Sequence, residues 1–259
     1  MTVTIYRTEK LYYHDPYATR NETDWARRSP GTIALARSVA FPEGGGQLGD
    51  RGSIRQGDLV ATFGDTRKAF GRCFFRADFP MIHVDTEVQL VLDQPLSDDW
   101  DERRPIEVVI NADRRAALTH SHTAAHLVYL GILEVEPGVA ARVKGCYIEP
   151  AGGRFDLALT RFSQEQVEEM NRIAVDWQVA DHRIDMEALP GEPECQIWVC
   201  NGRRIPCGGT HLERTGPVGA ISVRRRSKGS SIERVYYTLD SPTPTQLLER
   251  YAAGTATDE

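Results

Sequence analysis

Through the first hundred residues, apolar and polar positions alternate imperfectly in short runs. Stretches 3–6, 32–36, 59–63, 73–75 and 87–92 are rich in β-branched or aromatic residues, with Gly, Pro and Asp between them. Regularly spaced strands of this kind predict a small barrel or sandwich. Residues 93–105, DQPLSDDWDERRP, are charged, carry two prolines and read as a linker.

Beyond the linker the period changes. Asn111 or Asp113 is placed to cap a helix running to about 133, with Leu118, Ala125, Leu127, Val128, Leu130 and Ile132 at roughly helical spacing. Ser163 and Gln166 form the Ser-x-x-Gln pattern of a capping box and open a second helix to about 180. Strand-like runs follow or intervene at 140–148, 154–159, 183–186, 196–200, 220–225 and 232–239, and a short helix is expected at 246–251. The expected fold class is therefore α+β. A small N-terminal β-barrel (1–98) precedes a core (99–240) with helices packed on a mostly antiparallel sheet, and a short tail (241–259) ends it.

Composition narrows the function classes. The chain has 259 residues, of which 41% are hydrophobic and 26% charged, an ordinary globular balance. A net charge of −6 argues against general binding of polyanions. Any nucleic-acid contact must use a local patch, and Arg224-Arg225-Arg226-Ser227-Lys228 is the candidate run. Five cysteines do not make a disulfide framework, the first residues are too polar for a signal peptide, and no run is long and apolar enough to span a bilayer. A cytoplasmic address is the expectation.

Two segments carry metal chemistry. His122 and His126 stand four residues apart, which on a helix puts both imidazoles on one face. The glutamate of the zincin helix is missing, so a metalloprotease is disfavoured. Cys207-Gly208-Gly209-Thr210-His211 brings a thiol and an imidazole together across a glycine-permitted turn. Together these give a mixed N/S donor set, His122, His126, Cys207 and His211, that suits zinc. His120 falls on another helix face, and His14, His83 and His182 have no partner spacing. Gly44-Gly45-Gly46-Gln47 permits close backbone approach, with Gln47 offering both a donor and an acceptor. The chain has no G-x-S-x-G and no Walker A loop.

The combination of H-x-x-x-H, CGGTH followed by Thr215-Gly216 and Gly219, SKG-x-x-I-x-R from Ser227 to Arg234, and the GGGQ-x-GD-x-G loop resembles the free-standing alanyl-tRNA editing proteins, the AlaX family. These are similar to the editing domain of alanyl-tRNA synthetase, and the glycine-rich loop points to the two-domain class. The resemblance covers about 37–239. It implies zinc held by His122, His126, Cys207 and His211, and hydrolysis of seryl- or glycyl-tRNA-Ala at its acceptor end. It also implies that Gln47 and Thr123 lie at the editing pocket, where both are candidates for recognising a serine hydroxyl. Arg225, Arg226 and Lys228 are candidates for acceptor phosphates. Synthetase kinship raises ATP binding, for which the chain has no motif. The family's C-terminal oligomerisation extension is not evident after Leu239. Two other readings stay open: an inactive tRNA- or synthetase-associated module with structural zinc, and a metallohydrolase of small aminoacyl esters or amides.

Overall fold

The computed structural model describes residues 7–77, 79–229 and 231–254. The strand expected at 3–6 lies outside the described residues. The α+β expectation is borne out: among the described residues, three α-helices accompany sheets that are almost wholly antiparallel.

Seven strands form the N-terminal sheet, in the order Arg20–Thr23, Ile106–Ile110, Gly52–Gln56, Leu59–Ala69, Glu87–Leu92, Thr32–Leu35 and Trp25–Ser29. The two edge strands are consecutive in sequence and separated by Asp24 alone. The sheet must therefore curl until its edges come together. Inside the curl lie Trp25, Ile33, Leu35, Ile54, Phe63, Leu90, Ile106 and Val108. The edge strands RNET and WARRS escape the hydrophobic pattern because the first buries Asn21 and Thr23, and the second buries only Trp25. The stretch read as a linker folds onto this sheet. Trp100 stands edge-on to Trp25 at 6.2 Å, and the Gln56 amide donates to the carbonyls of Asp101 and Arg104.

Helix α1, Ala112–Val135, connects this sheet to the rest. Asn111 caps it, its side chain accepting from the Arg114 amide at 2.8 Å. Nearly every residue from Arg115 to Ile132 is buried, so the helix is enclosed on all sides. A four-stranded antiparallel sheet runs Val143–Glu149, Gly152–Leu157, Ile232–Leu239, Ile221–Lys228. The first of these strands starts later than its sequence suggests, because Gly138 in the left-handed region leads into a 3-10 turn at Val139–Arg142. Helix α2, Gln164–Val179, packs against α1 and carries the expected capping box, with both reciprocal bonds present at 3.1 and 2.8 Å. A three-stranded sheet, Ile184–Leu189, Glu192–Cys200 and Arg203–Pro206, leads into the CGGTH turn. Helix α3, Thr245–Ala253, buries Leu247 and Tyr251 against the core around α1.

One buried ion pair joins the two regions. The Arg115 guanidinium, on α1, bonds both oxygens of Asp50, which follows the glycine-rich loop, and also donates to the Val39 carbonyl at 2.7 Å. Asp50 in turn accepts from the Phe41 amide at 2.7 Å. With both side chains essentially inaccessible, removing one partner leaves an uncompensated charge in the interior.

Candidate metal centre

A helix buried all round should carry few polar side chains, yet α1 buries Arg115, Thr119, His120, Ser121, His122, Thr123 and His126. Buried polar groups need partners, and most of these have them. His120 sits off the metal cluster, its Nε2 against the Val218 carbonyl at 2.8 Å. Ser121 donates to the Gly152 carbonyl at 3.1 Å. Thr123, fully buried, donates to the Thr119 carbonyl at 3.0 Å and accepts from the Leu212 amide at 2.9 Å. That second bond ties the chain just after CGGTH to α1.

His122 and His126 meet Cys207 and His211 here, and the four ligand atoms lie within 4.8 Å of one another. Cys207 Sγ is 3.4 Å from His122 Nε2 and 3.3 Å from His211 Nε2. A tetrahedron with Zn–S of about 2.3 Å and Zn–N of about 2.0 Å has S···N edges of roughly 3.5 Å. The donor set and these spacings fit a tetrahedral metal ion. Trp198, itself buried, tilts under His126 with ring centroids 4.7 Å apart.

Burial sets the electrostatics. Desolvation lowers His122 to about 3 and pulls His126 and His211 well below the usual histidine range, the latter two helped by neighbouring imidazoles. Desolvation pushes the Cys207 thiol up to about 12, against small opposing contributions from the Gly209 amide and Lys68. Burial thus favours neutral imidazoles, the form that binds metals. A thiolate here requires a cation beside it.

The glycine-rich loop supplies the orientation. Its Gly46 carbonyl accepts from the Ile148 amide at 2.8 Å, which docks it on the four-stranded sheet. Gln47, fully buried, reaches the far side of His122: its Oε1 lies 2.7 Å from His122 Nδ1 and 3.1 Å from the Thr210 amide. The Thr210 N–H can only donate, so the atom facing it is oxygen and His122 Nδ1 must carry the proton. The Nε2 lone pair is left facing the cluster. This is the outer hydrogen bond that metal-bound histidines require. The Gln47 Nε2 donates to Thr210 Oγ1 at 3.1 Å, which is bonded to Thr119 Oγ1 at 2.8 Å, itself 2.9 Å from the Tyr251 hydroxyl. The chain of bonds runs from α3 to His122, a candidate metal ligand. At Gly209 a Cβ would collide with the His122 ring and with Gln47 Oε1, so the turn needs glycine there.

A cavity of about 880 Å³ opens onto the cluster and is lined by His122, His126 and Cys207 together with Gly44, Gly45 and Gly208. The proposed RNA contacts lie elsewhere, on strand Ile221–Lys228. Arg226 and Lys228 are exposed. Arg225 points the other way and donates to the fully buried Glu233 at 2.9 Å. Sequence reasoning passed over Thr210, Thr119 and Tyr251. The first lies inside CGGTH, where it reads as a spacer, and a hydroxyl on a buried helix leaves no trace in the apolar pattern.

Comparison with known proteins agrees with this geometry. Residues 200–236, which include Cys207 and His211, match the family described as threonyl and alanyl tRNA synthetase second additional domain. An alanine–tRNA ligase of Methanopyrus kandleri is 29% identical over 234 residues, covering 79% of this chain and 23% of the ligase. The ligase of Caldivirga maquilingensis is 25% identical over 253 residues, 85% of this chain and 25% of the ligase, and that of Halorubrum lacusprofundi 27% over 263 residues, 89% and 25%. The chain spans about a quarter of the length of these curated relatives. The resemblance carried by its motifs is therefore borne out: over most of its length this chain is similar to one part of the alanine–tRNA ligases, and within it residues 200–236 match a domain of the threonyl and alanyl tRNA synthetases.

Proposed function

We propose that the chain is a zinc-dependent aminoacyl-tRNA deacylase that acts in trans on tRNA-Ala carrying serine or glycine. The observation that carries this reading is the convergence of His122, His126, Cys207 and His211 on the wall of a cavity, with Gln47 fixing the tautomer of His122. Kinship to alanine–tRNA ligases, enzymes that handle aminoacylated tRNA, supplies the substrate class.

The reaction is ester hydrolysis. Water adds to the carbonyl carbon, the bond to the ribose oxygen breaks, the ribose hydroxyl regains a proton and the amino acid leaves as a carboxylate. A bound zinc supplies a Lewis acid for the carbonyl or a water of lowered pKa. The chain's own residues do the rest. Three ligands face the cavity, so an ester entering it approaches the cluster directly. Gln47 and Thr123 act as positioning residues, because their polar atoms are engaged within the protein: Gln47 orients His122, and Thr123 holds the segment after His211. Arg226 and Lys228, exposed on their strand, hold backbone phosphates without reading sequence. The RNA 3′ end is single-stranded and enters a cleft without melting a duplex.

Four protein ligands also describe a closed structural zinc, which favours a second reading, an inactive tRNA-associated module. A deacylation panel of seryl-, glycyl- and alanyl-tRNA-Ala beside seryl-tRNA-Thr, with and without chelator, separates the two. The deacylase reading expects release of serine from tRNA-Ala, sparing of alanine and loss of activity on chelation. Absence of turnover by the metal-loaded protein points to the module. Turnover of a small seryl ester as fast as of the tRNA points to a small-ester hydrolase.

A further inference from the structure

Two side chains at the cavity are neither among the four clustered side chains nor in their hydrogen-bond network. Lys68 stands near the end of strand Leu59–Ala69, and its side chain lines the cavity while remaining solvent-accessible. Its Nζ lies against the glycine-rich loop, 3.0 Å from where a Cβ on Gly44 would stand. No carboxylate pairs with it among the described residues, whereas the neighbouring Glu194 is already paired with Lys10 at 2.8 Å. The cavity walls desolvate the Lys68 ammonium and pull its pKa down, with Lys10 adding to the effect. Lys68 is the one Lys or Arg lining this cavity among the described residues.

Phe70 follows two residues later and lines the same cavity, yet is 60% exposed. Its φ of 55° places it in the left-handed region, unfavourable for a bulky residue. Gly71, also at positive φ, packs so closely on the Val84 carbonyl that a Cβ could not fit. The turn into the hairpin Arg72–Arg76 and Phe79–Val84 thus holds an aromatic ring out of any core, at the rim of the metal cavity. The left-handed backbone at Phe70 costs energy that its largely exposed ring recovers little of through core packing, and an ammonium without a carboxylate partner in a partly apolar cavity is likewise unfavourable for folding.

We propose that Lys68 and Phe70 form a binding subsite for the single-stranded 3′ end of the RNA, the ammonium pairing with a backbone phosphate and the ring stacking on a base next to the ester. Basic groups that track a backbone, with aromatic rings that stack bases, are the general chemistry of single-strand binding. The subsite rests on the deacylase reading for its position next to the ester, but its binding function can be measured without turnover.

The experiment is equilibrium binding of an RNA hairpin with a four-nucleotide single-stranded 3′ tail, against the same hairpin blunt-ended, using metal-loaded full-length protein. The wild type is expected to prefer the tailed RNA. Phe70→Ala is expected to lose about 10-fold in affinity for it, with Phe70→Trp restoring binding. Lys68→Ala is expected to lose a comparable factor and to shallow the salt dependence by about one phosphate's contribution, with Lys68→Arg restoring both. Metal content unchanged in all four variants excludes an effect through Cys207 or misfolding. Equal wild-type affinity for tailed and blunt RNA overturns the subsite, as do Lys68→Ala and Phe70→Ala variants that bind the tail like wild type. Tail binding that depends on Lys68 and Phe70 in a protein without deacylation upholds the subsite and overturns the deacylase reading alone.

Discussion

The Nδ1–H of His122 donates to Oε1 of Gln47 across 2.7 Å, linking the glycine-rich loop of the N-terminal region to a candidate metal ligand on α1. Replacing Gln47 with Leu removes the acceptor and leaves the imidazole free to take the other tautomer. Metal affinity is expected to fall about 10- to 100-fold. Chelator competition measures this. Gln47→Glu, which keeps an acceptor oxygen, is expected to lose less than Gln47→Leu. Identical affinities for wild type and Gln47→Leu would sink the orienting role.

Gly209→Ala tests the turn itself. The added methyl meets the His122 ring and the Gln47 oxygen, and both must move. We expect substoichiometric metal after purification and a stability loss of about 1–3 kcal/mol. Gly202→Ala provides a contrast: its Cβ meets nothing, so any cost comes from its positive φ and the metal is retained.

Asp50 and Arg115 form the buried pair between the N-terminal sheet and α1. Asp50→Ala alone is expected to cost about 3–5 kcal/mol, because it strands a guanidinium in the interior. The double variant Asp50→Leu with Arg115→Met is expected to recover much of that loss, since no buried charge remains. Urea denaturation of the wild type, Asp50→Leu, Arg115→Met and the double variant closes the cycle and gives the coupling. Additive losses would contradict the stranded-charge argument.

Within the basic run the register separates two kinds of arginine. Arg225 satisfies Glu233, which also accepts from Ser227 Oγ at 2.5 Å. Arg225→Gln is expected to destabilise the fold by about 2 kcal/mol. Arg226→Gln and Lys228→Gln are expected to leave thermal stability near wild type. Each should weaken tRNA binding and reduce its salt dependence by about one phosphate contact. The reverse pattern would remove this strand from the RNA interface.

Metal removal is the broadest test. Stripping the ion should lower the melting temperature, because binding to the folded state alone adds stability through mass action. Cys207→Ser and His126→Ala should show the lowered value without chelator. A melting temperature indifferent to chelator would mean that the four side chains hold no ion.

The convergence of His122, His126, Cys207 and His211 was legible in the sequence because both halves keep their chemistry within a single turn: four residues along α1, and five across CGGTH. The α+β class was legible because α1 and α2 announce themselves with an Asn111 cap and a Ser163 capping box. What stayed hidden depends on contacts between distant segments. The strand Ile106–Ile110 follows a Pro-containing charged stretch, and only its pairing with Arg20–Thr23 and Gly52–Gln56 places it in the N-terminal sheet. Gln47 was visible as a polar residue beside glycines. Its bond to His122 spans 75 positions, and no local spacing encodes that. Arg225 and Arg226 look alike in the sequence, and strand alternation against Glu233 tells them apart.

The candidate ligands come from positions 122 to 211, but the group that decides which nitrogen of His122 is free comes from position 47. If the cluster holds an ion, it would therefore reach full affinity only in a chain whose N-terminal region has already docked. Ion capture would then be a census of correctly assembled molecules: under limiting metal, misassembled chains would be outcompeted and stay empty. In this protein the ion would select for a completed fold before any substrate arrives.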